Sequence, residues 1–348
     1  SDISHWDVSN VEDMSSIFYA VENYTQNLNA WQTDSLTDLT NAFGRDFSGV
    51  GGFNGDIGDW NTSGVTSLIR TFLYNNKFNK SVNNWDTSNV EDMSLTFYTA
   101  GRYNQPLDNW NTSKVQDMTA MFYRSDFDQN IGNWDTSSVT DMSRMFLDTP
   151  FDNGGSPSIN NWDTSNVQDM NRAFSGASSF NQPIGNWNTS QVTDMNNMFF
   201  RATAFNQDIG SWDVSNVQNM DSMFRSEGYL ISQFNQDLDG WDTSSVTNMQ
   251  EMFAYTDNFN GSINNFDLSS INGNGIVDMF RDAKSFNRPL DNWNTSRITN
   301  MSAVFMGAPV FDRNISTWDV SSVIDCNDFD SSTSISWTAS EKPNFTSC

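Results

Sequence analysis

The chain has 348 residues and a formal net charge of −26, from 43 acidic and 17 basic side chains. This acidity argues against nucleic acid or an anionic membrane surface as partner, because both need a basic face. No apolar run approaches the roughly 18 residues of a membrane span, so membrane insertion is not expected. Aromatic residues make up 14% of the chain and recur periodically, which argues against disorder.

A short motif, Trp-Asp/Asn-Thr-Ser, recurs along most of the chain. Neighbouring copies are usually 25 residues apart, with extremes of 24 and 29. A fixed period of this length is typical of repeat arrays, in which each repeat buries its apolar face against its neighbours. The sequence therefore predicts one array over residues 1–326. The full copies begin at Trp60, Trp85, Trp110, Trp134, Trp162, Trp187, Trp241 and Trp293, and looser copies begin at Trp6, Trp31, Trp212, Phe266 and Trp318.

The first copy begins at Ile3, halfway through a repeat and without the Phe-Asn that opens later copies. An uncapped end of a repeat array exposes core and unpaired backbone. We expect the N-terminal end to be uncapped, with two explanations. Either the chain is cut from a longer protein, or another subunit covers this end.

Residues 180–204 show the repeat most clearly. From Val192 onward the apolar residues follow the spacing i, i+3, i+7 and i+10, which predicts one face of a helix. Ser190 precedes this segment as a candidate helix N-cap. The segment from Ile184 to Trp187 is short and rich in Asn and Gly, and we interpret it as a short parallel strand. Each repeat is then a strand, a capped turn and a short helix.

Aspartate also recurs in columns. One column follows Trp, and another lies at the predicted helix start. Carboxylates stacked about 5 Å apart repel one another by roughly 3 kcal/mol at an effective dielectric of 20. Each carboxylate must therefore accept backbone N–H groups or share a cation. Carboxylate oxygens are suitable ligands for calcium, but no established calcium loop is present. We therefore predict no metal site and no cofactor. The helix-start column contains Asp92, Asp117, Asp141, Asp169 and Asp194.

Four sequons share the turn after Trp and are candidate glycosylation sites, if the host is eukaryotic. They are Asn61, Asn111, Asn188 and Asn294. The threonines of the same turn form a ranked column, which raises ice binding as a minor hypothesis. They include Thr87, Thr112, Thr136, Thr164 and Thr189.

A stripe of large side chains follows the Phe of each predicted helix and points away from the core on a helical wheel. Such stripes mark interfaces, although partial burial against adjacent helices is the alternative. This candidate interaction surface contains Tyr98, Tyr123, Leu147 and Phe200. Three insertions share one predicted edge of the array: Gly44 to Gly52, Asp148 to Pro157 and Arg225 to Gln233. Loops inserted on one edge often bind partners, and neutral length drift is the alternative.

The C-terminal residues 327–348 leave the repeat pattern. Cys326 stands where the repeats have a core Met, and the second cysteine is Cys348. We predict a Cys326–Cys348 disulfide that folds residues 327–348 over the last repeat as a cap, with two free thiols as the alternative. The pair favours an oxidising compartment, hence an extracellular or cell-surface location.

The repeat pattern F-N-x-x-I-x-x-W-D-T-S-x-V-x-D-M-x-x-M-F-x-x-A resembles the mycoplasma-lipoprotein type of 25-residue surface repeat, a family related to BspA-like leucine-rich-repeat proteins. The resemblance covers residues 3 to about 329. It implies an α/β fold, a leucine-rich-repeat-like solenoid of about 13 coils, each with a short parallel strand and a short helix. It also implies a secreted or surface-attached protein, and it carries no catalytic residues.

Catalytic signals are weak. The single histidine is His5, zinc-ligand spacing and phosphate-binding loops are lacking, and paired aspartates arise from repetition alone. The chain is therefore not expected to be an enzyme. Two functions remain open. One is a structural or assembly role through contacts with protein, either copies of itself or a parent chain. The other is a surface adhesin that binds protein or glycan through the loop edge or the aromatic stripe.

Overall fold

A computed structural model describes residues 2–47, 51–271, 273–346 and 348. The chain divides into two compact units, residues 1–167 and residues 168–348. The first unit contains strands β1 (Asn23–Tyr24) and β2 (Gly52–Phe53), which pair in parallel. It also contains the 3-10 helices η1 (Asn153–Gly155) and η2 (Pro157–Asn161). The second unit contains the 3-10 helix η3 (Ala339–Glu341).

The expected α/β solenoid of about 13 coils, each with a strand and a helix, is wrong. In the described ranges every helix is a 3-10 helix of three to five residues, and the strands are one pair of two residues each. Most of each repeat consists of turns and isolated parallel bridges. The Ser N-caps proposed for the helices are wrong for the same reason, because no helix follows them in this part of the chain.

The segment expected to be helical is a chain of overlapping β-turns, as residues 118–125 illustrate. The N–H groups of Met121, Tyr123 and Ser125 each donate to the carbonyl three residues earlier. The alternating N–H groups of Ala120 and Arg124 donate instead to residues 143 and 147 of the next repeat. An α-helix would use every N–H locally, to the fourth preceding carbonyl. This segment divides its N–H groups between its own turns and the neighbouring repeat.

Positive φ angles fix this geometry. Ala120 has φ 51° and Arg124 has φ 50°, each at the third position of a turn, where a type II turn also requires positive φ. Equivalent residues in the next repeat are Arg144 at 57° and Asp148 at 55°. A residue in the left-handed region every four positions cannot belong to a right-handed helix. The apolar period near 3.6 is therefore produced by turns of four residues.

Aromatic rings form the core of each unit. In the first unit, Phe97 and Phe122 of consecutive repeats stack at 5.6 Å between centroids, and Phe122 and Phe146 at 5.8 Å. In the second unit, Phe224 and Phe253 stack at 5.6 Å. This centroid spacing is slightly above the 4.7–4.9 Å between hydrogen-bonded strands. Rings of consecutive repeats can therefore stack while backbone hydrogen bonds join the same repeats. The indole rings follow the same rule, as Trp31–Trp60, Trp110–Trp134, Trp134–Trp162 and Trp293–Trp318 show.

The C-terminal segment packs on the last repeat of the second unit. The predicted disulfide between Cys326 and Cys348 is confirmed, with Cα atoms 5.8 Å apart. Trp337 is buried, lies edge-on to Phe311 at 5.0 Å, and donates its indole N–H to the carbonyl of Arg313 at 2.9 Å. These contacts cover core rings at this end of the unit. None of the helices in the described ranges has the length and apolarity needed to cross a membrane.

Candidate functional site

The side chains of the Trp-Asp/Asn-Thr-Ser motif mainly hold one repeat to the next. The indole N–H of Trp85 donates to the carbonyl of Ile57 at 2.9 Å, and that of Trp110 donates to Val82 at 2.9 Å. The buried hydroxyl of Thr87 donates to the carbonyl of Asn111 at 2.9 Å. The other threonines of this column are buried in the same way, at Thr62, Thr112, Thr136, Thr164, Thr189, Thr243 and Thr295. A buried column cannot present hydroxyl groups to ice, so the ice-binding hypothesis is wrong.

The aspartate columns form local turns in which a carboxylate accepts a hydrogen bond from the backbone N–H two residues later. In the column expected at the helix start, Asp117 accepts from Thr119 at 2.7 Å. In the column after Trp, hydrogen bonds from the Ser88 hydroxyl and N–H lower the pKa of Asp86 below its ordinary value of 3.8. Backbone N–H groups therefore satisfy these carboxylates, which is the first of the two alternatives given by the sequence.

Calcium is the second of the two alternatives left open by the sequence. Across the described ranges, the structure brings together no group of three or more His, Cys, Asp or Glu side chains that could hold a metal ion.

A further ladder of hydrogen bonds between repeats was not predicted from the sequence. The Asn of each Phe-Asn pair accepts, through its side-chain oxygen, the N–H of the corresponding residue in the next repeat. In the first unit Asn54 accepts from Asn79 at 3.1 Å, and Asn79 accepts from Asn104 at 3.2 Å. The recurrence of Phe-Asn was the available signal, but its role could not be assigned without the register between repeats.

The four candidate glycosylation residues are all exposed. The side-chain oxygen of Asn61 accepts the N–H of Ser63 at 3.1 Å, and its amide donates to Asp34 at 2.7 Å. Asn111, Asn188 and Asn294 accept from the serine two residues later in the same way. The column is thus an exposed turn, and its glycosylation stays a prediction.

In the first unit, four aromatic side chains form a continuous surface row, which we call the aromatic row: Phe47, Tyr74, Tyr98 and Tyr123. Tyr98 and Tyr123 stack at 4.3 Å with an interplanar angle of 5°. Tyr74 meets Tyr98 edge-on at 5.3 Å, and Phe47 meets Tyr74 edge-on at 5.7 Å. Phe47 is 84% exposed and the three tyrosines are half-buried.

The structure brings together two of the four predicted surface residues, Tyr98 and Tyr123. Burial, and then the neighbouring tyrosines, raise the pKa of Tyr98 well above its usual range. Leu147 lies half-buried in the next repeat, where its carbonyl accepts the N–H of Arg124. Phe47 and Tyr74 were not predicted from the sequence, because neither follows the core Phe directly.

Phe200, the fourth predicted residue, lies in the second unit beside arginines. The guanidinium of Arg225 lies over its ring at 5.3 Å and also over the ring of Tyr255 at 5.8 Å. Arg281 also lies over the ring of Tyr255, at 5.7 Å, and Arg225 pairs with Glu251 at 2.6 Å. Rings and cations therefore alternate on this surface, and most of its charge is paired.

A recess of about 100 Å³ adjoins these residues and is lined by Gly228, Tyr255, Asp257, Asp282 and Lys284. The ammonium of Lys284 lies 2.5 Å from a carboxylate oxygen of Asp257. Gly228 belongs to the insertion Arg225 to Gln233, where Tyr229 is 76% and Ile231 is 62% exposed. This insertion therefore combines exposed apolar side chains with a polar recess.

The other two insertions differ. In Asp148 to Pro157, the buried Asn153 side chain accepts the N–H of Ile131 at 2.9 Å and donates to the carbonyl of Ser156 at 2.6 Å, so this insertion is fixed to the repeats. In Gly44 to Gly52, residues 48–50 lie outside the described residues.

Within each unit, short repeats are joined by backbone, indole and hydroxyl hydrogen bonds around stacked rings, which defines a tandem-repeat protein. The chain belongs to the family described as "Mycoplasma protein of unknown function, DUF285", which matches residues 1–46, 43–154, 151–232 and 227–340. The mycoplasma-type repeat inferred from the sequence is confirmed, and its relation to BspA-like proteins stays a prediction. Nothing matches this chain among the curated proteins or the solved structures.

Proposed function

We propose that this protein is a non-enzymatic, extracellular structural repeat protein that associates with copies of itself through the aromatic row. The observation that carries the proposal is the row itself, a set of four touching rings that ends in the exposed Phe47. Exposed aromatic side chains are enriched in protein interfaces because they contribute large contact area with few rotatable bonds.

The motif side chains support a structural role. The Trp, Thr and Asp groups that recur most often bind backbone atoms, as Trp110, Thr87 and Asp117 do. The Trp and Thr groups thus hold neighbouring repeats together, and the Asp groups stabilise turns within a repeat. The Cys326–Cys348 disulfide supports an extracellular location, because such bonds persist in oxidising compartments.

Net charge determines when copies can associate. Two chains of charge −26 repel one another, and the repulsion is screened as salt increases. The Debye length falls from about 30 Å at 0.01 M salt to about 8 Å at 0.15 M. Contacts between aromatic rows are therefore expected only once salt has screened the repulsion.

Sedimentation velocity over a salt series tests the proposal. The wild-type chain should be monomeric at low salt and should form larger species as salt increases. Phe47→Ser should weaken this association. Tyr19→Ser is the matched control, since Tyr19 is an exposed tyrosine of the same unit outside the aromatic row. A wild-type chain that stays monomeric at every salt concentration, or a Phe47→Ser variant that associates equally well, would contradict the proposal.

A second candidate function, adhesion to glycan, is favoured by the recess beside the insertion Arg225 to Gln233. The charged groups of the recess each have an opposite partner. Lys284 pairs with Asp257, and Asp282 lies 3.8 Å from Arg281, which also binds Asp278 at 3.2 Å. A recess whose charges are paired suits a neutral ligand. Carboxylate acceptors beside an ammonium donor and a phenol ring match the alternating hydroxyl groups of a pyranose.

Saturation-transfer NMR with neutral methyl glycosides of glucose, galactose and mannose tests the second candidate. At least one should bind, with a Kd on the order of 1 mM, about −4 kcal/mol. Gly228→Leu adds bulk at the wall of the recess and should abolish binding, whereas Lys114→Met should leave it unchanged. Lys114 is the control because it lies outside the recess, in the first unit, where its ammonium binds Asn89 of the preceding repeat at 2.7 Å. Binding that survives Gly228→Leu would place the glycan elsewhere.

A further inference from the structure

Two tyrosines of consecutive repeats in the first unit are held ring against ring. The centroids of Tyr98 and Tyr123 are 4.3 Å apart, and their planes differ by 5°. Backbone bonds fix the register, since the N–H groups of Phe97 and Thr99 donate to the carbonyls of Met121 and Tyr123. Both rings are half-buried, so one part of each reaches solvent. The two phenols are therefore prearranged as a pair that solvent-borne reagents can reach.

We propose that Tyr98 and Tyr123 are a cross-linking site, at which a one-electron oxidant such as hydrogen peroxide with a peroxidase joins them as dityrosine. Each phenol loses one electron and one proton and becomes a phenoxyl radical. The radicals combine through ring carbons ortho to oxygen, and the two hydrogens on those carbons then move to the oxygens. Two electrons and two protons leave in total, and one hydrogen peroxide takes them up to give two molecules of water.

The geometry favours this pair over its neighbour. The Tyr98–Tyr123 centroid separation is close to that of two rings joined by a single biaryl bond, so coupling requires ring rotation with little displacement of the backbone. Tyr74 also touches Tyr98, but edge-on, at 5.3 Å and 84°. The ring edge of one residue then faces the plane of the other, and the ortho carbons are not brought side by side. Coupling is therefore expected between Tyr98 and Tyr123.

Oxidisable residues of the same repeats are buried beside the pair. Trp110 and Tyr103 are buried in the ring columns of the same repeats, at 3% and 0% exposure. A bulky oxidant therefore reaches the half-buried phenols before these buried neighbours. Arg124 lies over the ring of Tyr123 at 5.1 Å and pairs with Asp148 at 3.1 Å, which restrains that ring beside its partner. The product would join two repeats covalently, and its formation does not depend on association between copies.

Tryptic mapping provides a direct test, because the tyrosines fall in separate peptides. Tyr98 lies in residues 81–102, Tyr123 in residues 115–124 and Tyr74 in residues 71–77. The intact chain is treated with peroxide and peroxidase at low protein concentration, and the monomer is isolated and digested. The expected product is 81–102 linked to 115–124 with the loss of two hydrogens, accompanied by dityrosine fluorescence.

Tyr to Phe variants keep the rings and the fold but remove the phenolic hydroxyl groups that the coupling requires. Tyr98→Phe and Tyr123→Phe should each abolish the linked peptide, and Tyr19→Phe should leave its yield unchanged. Three results would overturn the proposal: no linked peptide in the monomer, a main product joining 71–77 to 81–102, or linked chains only in covalent dimers. Since only the monomer is scored, this test is separate from the sedimentation test of self-association.

Discussion

The buried threonine of the motif allows the bond between two repeats to be measured at a single residue. Thr243 has 0% exposure, and its hydroxyl oxygen serves both backbone groups of Asp267 in the next repeat. The hydroxyl donates to the Asp267 carbonyl at 3.0 Å and accepts the Asp267 N–H at 2.7 Å. Thr243→Val keeps the shape of the side chain and leaves both groups without this partner.

The expected cost follows from those two bonds. A buried polar group that loses its partner costs about 1–3 kcal/mol, and the partial burial of these bonds favours the lower end, or about 2 kcal/mol for the pair. Thr243→Ser is the control, because it keeps the hydroxyl and loses one methyl group, worth about 0.8 kcal/mol. The valine variant should therefore be less stable than the serine variant, although valine is the closer match in shape.

Native-state hydrogen exchange is the suitable assay, because repeat arrays can open locally and a global midpoint would average over the chain. A loss of about 2 kcal/mol corresponds to about 30-fold faster exchange of the Asp267 amide. Valine and wild-type chains that exchange within about threefold of each other would refute the reasoning, as would a serine variant that exchanges faster than valine. Either result would mean that packing, not the hydroxyl, joins these repeats.

Three further predictions concern other parts of the chain. Gly307→Ala should lower the free energy of unfolding by about 1–2 kcal/mol, because Gly307 has φ 69° and the new Cβ would lie 2.5 Å from the Asp282 carboxylate. Thermal unfolding measures this loss, and an unchanged Tm would contradict it. Hydrogen bonds lower the pKa of Asp86 below 3.8, so its stabilising effect is present above pH 3.8 and lost as pH falls through the folded value. Asp86→Asn should keep the turn, as Asn111 does, and circular dichroism should show neutral-pH stability unchanged and acid loss reduced; greater acid sensitivity would oppose this. Cys326→Ser opens a link of sequence separation 22, should cost about 3 kcal/mol, and should expose residues 327–348 to limited proteolysis; a tail that resists protease as before would contradict it.

The inward-facing residues could be predicted from the sequence because burial depends on a recurring pattern. Phe122, Trp110 and Val115 recur at the same place in each repeat and are all buried. The disulfide was equally predictable, since Cys326 interrupts a column of core methionines and has one available partner. The core residues were predictable because they follow a column, and the disulfide was predictable because Cys326 departs from one.

The backbone conformation could not be predicted in the same way. Positions in the left-handed region are usually occupied by glycine, but here Leu95, Thr99 and Arg124 have φ angles of 58°, 54° and 50°. Thr99 is β-branched, which makes a positive φ especially costly and especially hard to anticipate. The apolar spacing of these turns resembles that of a helix. Positive φ angles distinguish the turns from a helix, and the residue types at those positions do not indicate them.

The surface sites were only partly predictable for a related reason. Tyr98 and Tyr123 share a column, so their proximity followed from the period alone. Phe47 belongs to an insertion, and Tyr74 lies one position beyond the column, so joining them to the row required the actual course of the chain. The recess beside Gly228 likewise depends on how one insertion meets two later repeats.

The strained turns explain why the repeats depend on one another. An L-residue in the left-handed region costs roughly 1–2 kcal/mol, and turn segments such as residues 118–125 contain two of them, Ala120 and Arg124. The same geometry directs their N–H groups to residues 143 and 147 of the next repeat and places Phe122 against Phe146 at 5.8 Å. The local cost is thus offset only when a neighbour is present to accept the bonds and stack on the ring. Stability in this chain therefore lies mainly between repeats, which is where the Trp and Thr side chains of the motif and the Asn side chains of the Phe-Asn pairs also bind.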